Sequence, residues 1–141
     1  MPSETLHDFK SKNPGFVSEW AEHATTTDGT AAEATRDGEA GKTHFVCGMT
    51  ASCHQNSMSA GAQIKVQLKD EDGTVLIEVE AIQGGEYGSP NNNYPHVWTW
   101  DFSAPIQIAE GKDITCSADS GSSSHDVHAN IWGFTSSIRV N

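Results

Sequence analysis

The stretch "THFVCGMTASC", residues 43–53, decides how the chain is read. Cys47 and Cys53 stand six residues apart and His54 follows the second, which invites a metal or redox reading. The apolar pattern points elsewhere. Phe45, Cys47, Met49, Ala51 and Cys53 occupy every second position, the period of a half-buried strand. On such a strand the two thiols lie roughly 20 Å apart, at ~3.3 Å per residue, so they can neither bridge nor share an ion. The strong zinc signature, a pair of Cys-x-x-Cys knuckles, is absent. Both cysteines are therefore expected to face inward with Phe45 and Met49, as small core hydrophobes.

The same alternation recurs through residues 43–141. Ile64, Val66 and Leu68 alternate with polar neighbours, and "KDEDGT" (69–74) ends in an Asp-Gly pair suited to a hairpin. Val75, Ile77 and Val79 form the return strand, with Glu78 and Glu80 on its wet face. Trp98, Trp100 and Phe102 share a face further on, as do Ile114, Cys116 and Ala118. Val127, Ala129 and Ile131 mark a last long strand, with Ile138 and Val140 as its continuation. Seven or eight short strands without a helix of three turns predict an all-β, antiparallel β-sandwich. A jelly roll is the preferred topology, and an immunoglobulin-like sandwich stays open. No repeat of 20–50 residues suggests a propeller or solenoid.

Composition narrows the function classes. A chain of 141 residues forms one domain, long enough to fold without staples. A formal net charge of −11 repels nucleic-acid phosphates and anionic membranes, so neither is expected as a partner. No run approaches the ~18–20 apolar residues of a membrane span. The first residues carry no basic segment followed by an apolar run, so no signal peptide is expected. Three cysteines, an odd count, fit reduced thiols made in a cytoplasm.

Ahead of this body the chain divides again. Residues 1–24 hold a few apolar anchors, Leu6, Phe9, Phe16, Val17 and Trp20, interrupted by Asn13-Pro14-Gly15. Residues 25–42 contain no large apolar residue and read as a polar tether. The predicted organisation is an arm (1–24), a tether (25–42) and a sandwich body (43–141). Aromatic side chains on an extended arm suit docking, which makes Leu6, Phe9, Phe16 and Trp20 candidate partner contacts. Tyr87 and Tyr94, set among Gly and Asn in the loop 83–95, are two more.

Signs of catalysis are weak throughout. His125 and His128 are three apart on a strand and so fall on opposite faces, and no compact His-x-His is present. "KDEDGT" lacks the spacing of a calcium loop. No nucleophile elbow or phosphate-cradling glycine loop occurs. The expectation is a non-enzyme with no cofactor and no metal.

Four segments carry a family resemblance: "GKTHFVCGMTAS" (41–52), "LKDEDGTVLIEVE" (68–80), "HVWTWDFSAPIQIAEGKDITCSAD" (96–119) and "VHANIWGFT" (127–135). Together they resemble small all-β virion proteins encoded among tailed-phage structural genes. Those share a Gly-Lys-[ST]-His-[FY]-Val opening, a Leu-x-Asp-Gly-[ST] hairpin and a closing Asn-[IVL]-x-Gly-[FY]. The resemblance spans the body and not the arm. It implies a jelly-roll capsid decoration (cement) protein, made in the host cytoplasm and carried on the capsid exterior. Such proteins often assemble as homotrimers and clamp neighbouring major capsid protein subunits. Where Cys47 stands, the family pattern has a small or β-branched residue, so the thiols carry no family function. The rival expectation is a receptor- or glycan-binding head of a tail or head fibre, gripping a sugar with loop 83–95 and Trp132.

Overall fold

The computed structural model describes residues 17–55, 63–82, 96–120 and 125–137. Leu6, Phe9, Phe16, Tyr87, Tyr94, Ile138 and Val140 lie outside these residues. Eight strands make up the described chain: β1 (Val17–Thr26), β2 (Ala32–Arg36), β3 (Thr43–Gln55), β4 (Gln63–Asp70), β5 (Val75–Ile82), β6 (His96–Gln107), β7 (Ile114–Asp119) and β8 (His125–Ser136). They form two four-stranded sheets, ordered β1-β8-β3-β6 and β2-β7-β4-β5, with every pairing antiparallel. The chain is an all-β sandwich. Its pairing is nested: β1 with β8, β2 with β7, β3 with β6 and β4 with β5.

Alternation builds the interior. From one sheet come Met49, Ala51 and Cys53 of β3 and Val127, Ala129 and Ile131 of β8. The other supplies Ile64, Val66 and Leu68 of β4, and Ile114, Cys116 and Ala118 of β7. Trp98, Trp100 and Phe102 of β6, with Ile77 and Val79 of β5, pack half-buried against this core. The β4–β5 hairpin turns as the sequence predicts. Gly73 takes φ 79°, open to glycine at no steric cost, and the Asp70 carboxylate accepts the N–H groups of Asp72 and Thr74 at 3.0 and 2.8 Å.

Two expectations fail here. The first is the boundary drawn through residues 17–42. Instead of an arm's end and a tether, this region is β1 and β2, the edge strands of the two sheets. Ala32 and Ala34 are fully buried in the core, paired with Ala118 and Cys116 of β7. Polar residues between them face outward, where Thr35 and Thr115 join hydroxyls across β2 and β7 at 2.8 Å. The Asp28 carboxylate ties the intervening turn, accepting the Thr30 N–H at 3.1 Å and its hydroxyl at 2.6 Å. Both bonds hold the Asp28 carboxyl below its ordinary range.

The second is the face assigned to Phe45 and Cys47. The register shifts between Val46 and Gly48 on both edges of β3: against β8 Cys47 is the extra residue of a β-bulge, while against β6 residues 102–105 stand opposite it. Before the bulge His44 and Val46 point inward; after it Met49, Ala51 and Cys53 do. Phe45 and Cys47 are thereby turned onto the outer face, into a separate cluster with Phe134 and Val17.

Candidate functional site

Trp20, expected as an exposed anchor, is buried within this domain. It stands opposite Gly133 of β8, edge-on to His44 at 5.8 Å between ring centroids, with the Arg36 guanidinium 5.6 Å from its ring. Its burial follows from β1 being a sheet strand rather than a free arm. His44 fixes this corner: Nδ1 pairs with the Thr135 hydroxyl at 2.7 Å and Nε2 with the Asp37 carbonyl at 2.8 Å. A carbonyl only accepts, so Nε2 carries the proton and Nδ1 accepts from Thr135. Arg36 adds ion pairs to Glu22 at 3.1 Å and Glu39 at 2.9 Å. The Lys42 ammonium bonds the same Glu39 carboxyl and is the main reason it sits below its ordinary pKa. Trp20, Arg36 and His44 therefore join β1, β2 and β3, and Trp20 serves this domain's own packing.

Nor do the thiols form a reactive site. Burial pushes Cys116 up to about 12; burial, then the Asp126 charge, pushes Cys53 up to about 11. Cys47 is raised by partial burial and then by Glu19. Protonated thiols are poor nucleophiles and poor metal ligands. His125 is buried, while half-buried His128 pairs with the Thr25 hydroxyl at 2.9 Å, so the two imidazoles take opposite faces as expected. Among the described residues no three His, Cys, Asp or Glu side chains come together to hold an ion.

What the structure does assemble is an apolar cluster on the outer side of the β1-β8-β3-β6 sheet, its phenylalanines buried and Cys47 and Trp132 partly exposed. Phe45 and Phe134 stack at 4.8 Å with planes 6° apart, beside Val17 and Cys47. One register step along, Trp132 lies opposite Gly48 and Ala21. A side chain on Gly48 would run into the Trp132 indole and the Trp100 carbonyl, so the missing Cβ lets the ring lie flat on the strand. Next to it Glu19, Trp20, Ala21, Cys47, Trp132 and Gly133 line an open groove of about 420 Å³. The outer face of an antiparallel sheet is ordinarily polar, so this one is distinctive. Its sequence signal was present in part: Ile131-Trp132-Gly133-Phe134 breaks the alternation of β8, placing large apolar groups on both faces.

No family model and no curated protein sequence matches the chain. Among solved structures, one that aligns is an arabinose-bound α-L-arabinofuranosidase, at 9% identity and a TM-score of 0.40. The alignment covers 95% of this chain and 24% of that chain. A likeness of that degree says nothing about what this chain does.

Proposed function

We propose that the chain is a virion accessory protein of the capsid-decoration type, applied by its β1-β8-β3-β6 sheet to the major capsid protein. The observation that supports this reading is the partly exposed Trp132 ring, which with Cys47 lines an open groove beside the buried Phe45–Phe134 stack, on a sandwich whose nested strand order we take as a jelly roll. Completing the burial of the partly exposed Trp132 ring on a capsid would contribute on the order of 1–3 kcal/mol. Assembly as a homotrimer would multiply such modest contacts through avidity. Leu6, Phe9 and Phe16 are proposed as further contacts from the segment ahead of β1. The place of action is the capsid exterior, after synthesis in the host cytoplasm, and the role needs no cofactor or catalysis.

Imaging empty, expanded capsids of the encoding phage after mixing with the protein tests the proposal. Ordered decoration is expected, with occupancy lowered by Trp132→Ala. Bare shells at saturating protein would end it. A receptor-binding fibre head is the second reading, favoured by one observation: the partly exposed Trp132 lines an open groove, where an aromatic ring could stack on a sugar. Binding on a glycan array, lost in Trp132→Ala, would replace the first reading with this one.

A further inference from the structure

His125 is a buried polar group that the proposed surface does not use. It begins β8 with 2% of its surface exposed, and among the described residues neither ring nitrogen has a hydrogen-bond partner. Buried imidazoles ordinarily bond at least one nitrogen, as His44 does at both. A buried ring without a hydrogen-bond partner disfavours the charged form, because a buried charge without a partner is expensive. Among the described residues, few charged or titratable groups stand near it. Asp126 follows it on β8, and His54 of β3 meets Asp126 at 3.6 Å. Cys53 of β3 lies opposite Val127, and Gln55 is the register partner of His125 itself. Strand β1 ends at Thr26, opposite Val127, and β7 of the other sheet ends at Asp119, opposite Lys65.

We infer that His125 is an acid-sensitive latch: its protonation loosens the end of the sandwich where β3 and β8 meet, around residues 53–55 and 125–127. Burial holds its pKa below the ordinary histidine value, and the Asp126 charge opposes that only in part. The proton is therefore bound more tightly by the opened chain. Stability conferred by neutral His125 is complete above the ordinary histidine pKa of about 6.5 and is lost as pH falls toward the depressed value. The inference is independent of any role on a capsid.

Two measurements on the full chain test it. Urea unfolding followed from pH 7.5 to 4.5 should show the unfolding constant rising by up to ~10-fold per pH unit below about pH 6, the signature of one proton taken up. His125→Gln, neutral throughout, should flatten that slope; an unchanged slope would overturn the proposal. Should that variant fail to fold, hydrogen exchange on the native chain decides. Amides of residues 53–55 and 125–127 should lose protection between pH 7 and 5, after correction for intrinsic rates, while 64–68 keep theirs. Uniform behaviour of both sets would equally overturn it.

Discussion

On its inner face the β1-β8-β3-β6 sheet carries Met49, Ala51, Cys53, Val127, Ala129 and Ile131, all essentially without exposure. On its outer face the same strands carry Phe45, Phe134, Cys47 and the half-exposed Trp132 beside Glu19. The inner set follows from plain alternation and meets a second sheet. The outer set comes from a bulge and an unbroken apolar run. One surface is filled entirely by the fold; on the other the fold buries Phe45 and Phe134 but leaves Trp132 and Cys47 partly open at a groove. That contrast is the reason to look outward for function.

Neighbouring residues on β8 give the sharpest way to break the comparison. Ile131→Ala should cost about 2–5 kcal/mol in urea unfolding, the ordinary penalty for a buried cavity. Trp132→Ala, one position along, should cost clearly less and instead lower capsid occupancy. Equal stability losses would mean that the outer surface is simply more core. Gly48→Ala tests how the outer ring is seated. Its methyl group meets the Trp132 indole and the Trp100 carbonyl, so a loss of about 1–3 kcal/mol with an altered near-ultraviolet circular dichroism spectrum is expected.

The thiols separate the faces by chemistry. In the native protein a thiol-reactive disulfide reagent at pH 8 should modify Cys47 first, and Cys53 and Cys116 only on unfolding. Because Cys116 is raised to about 12, the folded chain keeps a proton there that the unfolded chain releases near pH 9. Its stabilising contribution is complete below pH 9 and declines as pH rises from there toward 12, and Cys116→Val should remove that part of the alkaline loss. The smallest effect belongs to the outer face of the second sheet. Lys69→Gln breaks the 3.1 Å pair with Glu33, largely exposed on the carboxylate side, and should change stability by about 0–1 kcal/mol.

Much of this fold was legible because its strands alternate cleanly. Ile64, Val66 and Leu68, the Asp-Gly hairpin, and Val127, Ala129 and Ile131 each announce a strand and a facing direction. β1 and β2 were hidden for opposite reasons. Trp20 looked like an anchor because its neighbours are polar, although one large residue on an edge strand can close a corner when Arg36 and His44 meet it. Ala32 and Ala34 looked too small to belong to a core, yet pairing with Ala118 and Cys116 of β7 carries both into it. The bulge was illegible because "FVCGM" offers an apolar residue, or a glycine, at every position, so either parity satisfies the pattern. The outer surface was obscured with it, since assigning Phe45 to the interior removed half of the stacked pair.

The extra residue at Cys47 acts on β3 much as a frameshift acts on a message. Upstream of it even-numbered residues are read by the interior; downstream the odd-numbered ones are. Deleting that single residue would leave His44, Val46, Met49 and Ala51 alternating inward with no bulge, and Phe45 outside. Ironing the bulge flat with Cys47 kept would do the opposite: with Met49 and Ala51 inside, Phe45 would turn inward and His44 and Val46 outward. His44 would then be lost from its bonds to Thr135 and Asp37, and Phe134 from its stacking partner. The bulge is a letter the backbone skips, and by skipping it the strand keeps one message on each face.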